Sequence, residues 1–393
     1  MKEELNGSGP LAGLKVLDLS GVGPGARCAR MLADFGADVT RIVPPVRPGG
    51  HRLEAPYHSY GGGRGWRKAV LDLKHEAGRE LFFRLAKQAD VVVEGFRPGV
   101  AARLGIGYDE VAVVNPRVVY CSISGYGQTG TASRWVGHDI NYDALAGMLA
   151  TTELRADGAP AIPGLTVADT AGGGMQAVMS ILAALLGRAT TGKGTYLDVS
   201  MTEGVLYLMS MHIDEYLATG REPAQGTSIL TGAFACYDLY RASDGLWLAV
   251  GAIEAGFFAN VCKVLECEEW IPRQMDPTAQ DEIRADLKAR FAERTRAEWM
   301  TLFGSVDSCV TKVNSIAEVV ADPHFAARGD FIEVEHPEHG RYLQVGPLLA
   351  GAERPVGVVL LPSASANDTR AVLGEIGVDA EHYSTLVDAG IVG

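Results

Sequence analysis

The sequence has few cysteines, no long apolar run and no surplus of positive charge, and each shortage excludes something. Its 393 residues hold six cysteines, Cys28, Cys121, Cys236, Cys262, Cys267 and Cys309, with no C-x-x-C pair. That excludes a disulfide scaffold and reads as reduced, mostly structural thiols of a cytoplasmic protein. The longest apolar runs reach about ten residues, too short to span a bilayer. Residues 1–10 are polar with two glutamates, which is not a signal peptide. With 35 basic against 48 acidic residues the net charge is −13, so no basic surface for nucleic acid is expected. An anionic small molecule remains open, because it needs only a few local arginines. No internal repeat or low-complexity tract is present.

What is there is a globular composition, 47 % hydrophobic and 21 % charged, on a chain long enough for two domains. Strand-like segments at 14–19, 38–43, 70–73, 90–94, 118–124 and 195–200 alternate with helical ones. The helices are expected up to residue 37, then at 75–88, from 99, at 175–188 and at 203–217. This alternation predicts an α/β fold with a mainly parallel sheet covered on both faces. Residues 220–226 read as a linker. Beyond 232 the pattern changes to a hairpin, 234–241 with 246–251, followed by helices including 280–303. The tail is strand-like at 340–347 and ends in a helix at 367–377. The expected division is therefore a large domain, 1–224, a smaller α+β domain, 225–330, and a C-terminal segment, 331–393, that returns to the large one.

Two glycine-rich places carry candidate chemistry. Gly21-x-Gly23-x-Gly25-Ala26 follows the first strand and invites a dinucleotide reading. The carboxylate expected about twenty residues on is missing, because the second strand ends Thr40-Arg41-Ile42-Val43. Arg41 suits a phosphate instead, and a tight turn required by the fold is the alternative reading of the glycines. The second place, residues 137–175, organises the rest. It holds His138, Asp169 and then Gly172 to Gly174 before an apolar helix. Asp169 near a helix start is favoured as an ionised group, and it reads either as a cap or as a catalytic carboxylate. The glycine N–H groups are the expected donors to a developing oxyanion.

Several segments together resemble one family. They are Pro10-Leu-Ala-Gly-Leu-Lys-Val-Leu-Asp-Leu, Met31-Leu-Ala-Asp-Phe-Gly-Ala-Asp-Val, Leu71-Asp-Leu-Lys, Asp90-Val-Val-Val-Glu-Gly-Phe-Arg-Pro-Gly, Ser124-Gly-Tyr-Gly-Gln-Thr-Gly and Gly137-His-Asp-Ile-Asn-Tyr. The chain resembles the class III coenzyme A transferases (the CaiB/BaiF family), and within them the α-methylacyl-CoA racemases, over about residues 10 to 350. The resemblance implies a Rossmann-like large domain that binds CoA, a small domain, an interlocked homodimer and an active site between subunits. It implies catalytic roles for His138 and Asp169, with Glu254 partnering the histidine. Arg41, Gly95, Phe96, Arg97 and Arg103 would then surround CoA, with Phe96 beside the adenine or in the core. CoA enters as part of an acyl-CoA substrate in lipid metabolism, with no separate cofactor, metal, nucleic acid or membrane.

The implied reaction is racemisation of a 2-methylacyl-CoA thioester. It removes a proton from one face of C2 and returns one to the other, so two bases are required. A histidine and an aspartate suit this near neutral pH. Glu254 would fix the imidazole tautomer. The racemases tend to read Asn-Leu-Val-Gly-Asp-Phe around the aspartate, whereas this chain reads Leu165-Thr-Val-Ala-Asp-Thr. The alternative is CoA transfer between acids, in which Asp169 attacks the thioester to form an anhydride and then an aspartyl-CoA thioester. Met201, Tyr207, Met209 and Met211 read as core at helical spacing or as pocket lining.

Overall fold

A computed structural model describes residues 9–46, 55–223, 226–363 and 365–393. Parts of the N-terminal segment and of the expected linker thus lie outside the described residues. The chain divides into two compact units, one of 1–148, 162–210 and 323–393, the other of 149–161 and 211–322.

The first unit is built on a six-stranded parallel sheet. In chain order its elements are β1 (Lys15–Asp18), α1 (Pro24–Asp34), β2 (Asp38–Val43), β3 (Trp66–Val70), α2 (Glu76–Ala86), β4 (Val91–Glu94), α3 (Val100–Leu104), α4 (Tyr108–Val114) and β5 (Val119–Ser124). Then come α5 (Asp139–Leu145), a π-helix (Ala168–Met175), α6 (Gln176–Thr191), β6 (Thr195–Ser200) and α7 (Met201–Leu208). The strand order is β3-β2-β1-β4-β5-β6, so the winding reverses between β1 and β4. All residues of β4 and β5 are buried, as expected for central strands covered on both faces. Leu17, Phe82, Leu85, Val92 and Tyr120 form the core on one face. The C-terminal helices Thr369–Glu375 and Ala380–Asp388 add Val372, Leu373 and Leu386 to that core. Thr369 Oγ1 accepts the Val70 N–H at 2.8 Å and Asp368 Oδ2 the Lys68 N–H at 2.9 Å, covering the β3 edge.

Gly23 has φ 73°, a conformation only glycine adopts without cost, and Pro24 then starts α1. A Cβ on Gly25 would lie 2.4 Å from the Ser20 Cβ, so close packing of α1 on β1 requires glycine there. The fold thus explains the glycine motif without a dinucleotide.

The π-helix and α6 form one 24-residue run whose most apolar stretch has a mean hydropathy of 1.4. By length and composition it could cross a membrane, contrary to the sequence reading, which found apolar runs of only about ten residues. Its buried Ala177, Val178 and Ile181 lie on the side packed against β5 and β6.

Other differences have local causes. The strand expected at 70–73 is Trp66–Val70, whose adjacent basic residues Arg67 and Lys68 hide it from a search for apolar runs. The helix expected at 203–217 breaks at Met209 into Met201–Leu208 and Ser210–Thr219. Helix Tyr108–Val114 was not expected.

The second unit pairs Tyr237–Arg241 antiparallel with Trp247–Gly251 and adds Val310–Lys312 at the edge. Helices Ala255–Leu265, Gln280–Phe291 and Arg296–Phe303 cover it, with Tyr240, Phe258, Phe291 and Trp299 in the core. The single helix expected at 280–303 is two. Thr295 and Glu298 form a reciprocal capping box that starts the second, and the Trp299 indole N–H donates to the Phe291 carbonyl at 2.8 Å.

Candidate active site

His138 is the residue immediately before α5, and its backbone is pinned. Asn141 Oδ1 accepts the His138 N–H at 3.0 Å, and the Asn141 N–H donates to the His138 carbonyl at 2.8 Å. The Tyr142 hydroxyl donates to the Gly137 carbonyl at 2.6 Å. A Cβ on Gly137 would lie 2.7 Å from the Tyr126 hydroxyl, and one on Gly125 would strike the Tyr142 ring at 2.4 Å. Gly137-His-Asp-Ile-Asn-Tyr is therefore a unit whose other members present His138, which is exposed within this chain.

Asp169 lies in the first turn of the π-helix, and Val167 holds the cap position, so the capping reading fails. π-Helical turns recur at functional sites. Its N–H donates to Asp139 Oδ1 at 2.8 Å, tying the start of α5 to the start of the π-helix. Its half-buried carboxyl is raised above the ordinary range by burial and by Asp139, while Arg27 and His138 hold it down. His138 is thus near enough to act on the Asp169 charge. Arg27 Nη2 donates to Thr166 Oγ1 at 2.8 Å, and Thr166 Oγ1 lies 3.3 Å from Thr170 Oγ1. Thr170, a departure from the racemase pattern, helps hold the cation beside Asp169. Leu165, the other departure, is exposed.

The Gly172 to Gly174 expectation needs correction. All three are buried. A Cβ would lie 2.7 Å from the Met201 carbonyl at Gly172, 2.8 Å from Pro24 at Gly173 and 3.1 Å from the Arg27 Cβ at Gly174. Their lack of side chains lets the π-helix pack between α1 and α7, and buried in that packing they cannot serve an oxyanion.

A cleft of about 400 Å³ opens at the carboxyl ends of the strands where the winding reverses, the place open α/β sheets use for ligands. Ser20, Gly21, Arg41, Tyr60, Trp66 and Phe96 line it. Arg41 is already engaged: its guanidinium bonds the buried Asp18 carboxylate at 2.8 Å and lies 3.6 Å over the Trp66 ring. Gly95 sits against Ser20, since a Cβ there would be 3.6 Å from the Ser20 Cβ. Arg97 is exposed and acts on the Tyr142 hydroxyl, toward His138, and Arg103 is exposed on the last turn of α3. Neither lines the cleft. Glu254 belongs to the second unit, exposed at the N-cap of helix Ala255–Leu265. Met201 and Met209 are buried, whereas Tyr207 and Met211 are exposed.

The loop from Gly21 to Gly23 joins the cleft to Asp169. Gly21 lines the cleft, and a Cβ on Gly23 would be 3.5 Å from Asp169 Oδ2. Tyr60 lines the cleft, accepts the Gly23 N–H at 3.2 Å and lies 5.0 Å from the Arg27 guanidinium. The sequence reading missed Arg27, Tyr60 and Asp18, which only the fold brings here. It also missed Glu94, whose buried carboxyl is pushed up to about 7 by desolvation and which accepts the Phe96 N–H at 2.6 Å. Among the described residues no group of three or more His, Cys, Asp or Glu side chains is placed to hold a metal ion.

A parallel sheet in the 3-2-1-4-5-6 order, with a cleft at the reversal, defines a Rossmann-type α/β protein. The chain belongs to CoA-transferase family III, whose family model matches residues 11–362. It is 40 % identical to the alpha-methylacyl-CoA racemase of Homo sapiens, over 84 % of each chain. It is 29 % identical to the succinyl-CoA:glutarate CoA-transferase of Homo sapiens, covering all of this chain and 92 % of that one. The crystal structure of a CaiB/BaiF family protein from Brucella suis is similar with a TM-score of 0.74 and 27 % identity, covering 94 % of this chain and 99 % of that one.

Proposed function

We propose that the protein is a racemase or epimerase of 2-methylacyl-CoA thioesters, with His138 and Asp169 as the two bases. The observation that carries this reading is the tie between their supports: the Asp169 N–H bonds the Asp139 side chain, next in sequence to His138. One base removes the C2 proton, the thioester oxygen takes up the charge as an enolate, and the protonated partner returns a proton to the opposite face. Burial raises the Asp169 carboxyl above its ordinary range, so it holds a proton more readily than an exposed aspartate, and the imidazole is the second base. Asp139 and Ile140, the first residues of α5, have N–H groups that no intrahelical carbonyl reaches, and these replace the glycines as oxyanion donors.

The CoA nucleotide occupies the cleft, with Phe96 and Trp66 flanking it and Arg41 offering donors fixed by Asp18. The Gly21 to Gly23 loop then leads the thioester to Asp169. Gly95, Arg97 and Arg103, outside the cleft lining, are proposed as further contacts to CoA. Glu254 is a further acid of the reaction, and a second copy of the chain covers the exposed Leu186, Tyr207 and Leu217. The free cysteines, five of them buried, suit a cytoplasmic location.

CoA transfer is the second reading, favoured by the match to the succinyl-CoA:glutarate transferase. Incubation of one 2-methylacyl-CoA enantiomer in heavy water, without a second acid, separates the two. Deuterium at C2 in both enantiomers of the product is expected. CoA transfer to an added acid, with no deuterium and with acyl-CoA-dependent inactivation by hydroxylamine, would overturn the racemase reading.

A further inference from the structure

Asp143 has no part in the reaction as drawn, yet it lies within the structure that holds Asp169. It follows Asp139 by one turn of α5 and is fully buried, at 0 % exposure. Neither of its carboxylate oxygens completes a hydrogen bond with a protein donor. The carboxyl faces Asp139, with the Ala168 N–H and Asp169 close by. Two facing carboxylates, one of them sealed from water, cannot both stay ionised without a cation, and none of the groups that act most strongly on Asp143 is one. One shared proton resolves both problems. It removes the buried charge and turns the Asp143 hydroxyl into a donor toward Asp139.

Asp139 is then held from two sides. It accepts from Asp143 within α5, and its Oδ1 accepts the Asp169 N–H across to the π-helix at 2.8 Å. We propose that Asp143 is a positioning residue that stays protonated and, through Asp139, fixes the backbone of Asp169 at the site of proton transfer. Burial and the Asp139 charge push the Asp143 carboxyl up to about 7, consistent with that proton. Without the donor, Asp139 is free to turn from the Asp169 N–H, and the first turn of the π-helix loses its anchor. Displacing a reacting group by about 1 Å is enough to lower a rate about 100-fold.

The inference rests on the reading that Asp169 reacts, so its test carries a readout independent of activity. The infrared spectrum of the full-length protein at pH 6 is compared with that of Asp143→Asn. A carboxylic-acid C=O band present in the wild type and lost in the variant is expected; a band unchanged by the substitution would overturn the proposal. Kinetics of C2 deuterium exchange supply the second arm, with circular dichroism confirming the fold. Asp143→Asn, a neutral isostere that still donates to Asp139, keeps kcat within about 3-fold. Asp143→Ala loses about 100-fold in kcat with KM little changed. A folded Asp143→Asn as inactive as the alanine variant, or an alanine variant as active as wild type, would overturn the positioning role. A wild type that exchanges no C2 proton contradicts the racemase reading, while the band still decides the proton on Asp143.

Discussion

The protonation of Asp169 is set by opposed neighbours. Burial and Asp139 raise its pKa, and Arg27 and His138 lower it. Replacing Arg27 with glutamine removes a cation and so raises the Asp169 pKa further. The acidic limb of the kcat/KM profile should move up, and a limb that stays in place or moves down contradicts the assignment of that limb to Asp169. Tyr142→Phe removes the bond to the Gly137 carbonyl and leaves that half-buried acceptor without its partner. About 1 kcal/mol of stability should be lost in chemical denaturation, with kcat falling more than KM rises. His138 and Asp169 stood out as candidates in the sequence because each sits in a distinctive short motif. Arg27, Tyr60 and Asp18 did not, since only the folding of α1 and of residues 55–63 against the sheet brings them to the site. The Asp139-Ile-Asn-Tyr-Asp143 spacing was visible, but spacing does not reveal that one of two carboxylates a turn apart is sealed from water.

Among the elements, the π-helix depends most on particular residues. Its glycines are required by packing, so Gly173→Ala, with a Cβ 2.8 Å from both Pro24 and Met201, forces α1 and α7 apart. A loss of about 1–3 kcal/mol is expected, accompanied by lower kcat because Asp169 shares the helix. An alanine variant as stable and active as wild type would show that the packing yields there. The parallel strands were readable because central strands are continuous apolar runs, as in Val91-Val-Val-Glu94. β3 was not, because its Arg67 and Lys68 serve an edge covered by the C-terminal segment. The helix break at residues 292–295 had a readable signal, Thr295-Arg-Ala-Glu298, which apolar periodicity ran through.

On the scale of the whole molecule, buried acids couple stability to pH. Asp143 and Glu94 are pushed up to about 7 from ordinary values of 3.8 and 4.5. Between about pH 4 and 7 the folded chain holds protons that the unfolded chain has released. Their stabilisation is therefore complete at the acid side of this window and is lost as the pH rises through 7. Chemical denaturation at pH 6 and pH 8 should differ by about 1 kcal/mol per group, with the protein weaker at pH 8. Asp143→Asn and Glu94→Gln should each flatten that difference; a wild type equally stable at both values contradicts the burial of these charges. The exposed apolar side chains Leu186, Tyr207 and Leu217 predict a dimer by analytical ultracentrifugation, and a monomer at micromolar concentration contradicts it.

The central claim is that one carbon is served by two bases on opposite faces. Its most direct test is C2 hydrogen exchange of each separate 2-methylacyl-CoA enantiomer in heavy water, with wild type, His138→Ala and Asp169→Ala, read by mass spectrometry and chiral analysis. The account predicts that the wild type exchanges and interconverts both. Each variant should interconvert neither, yet still exchange the one enantiomer whose C–H faces its remaining base, a different one for each variant. Variants that exchange both enantiomers at the wild-type rate, or that fail on the same enantiomer, would contradict it.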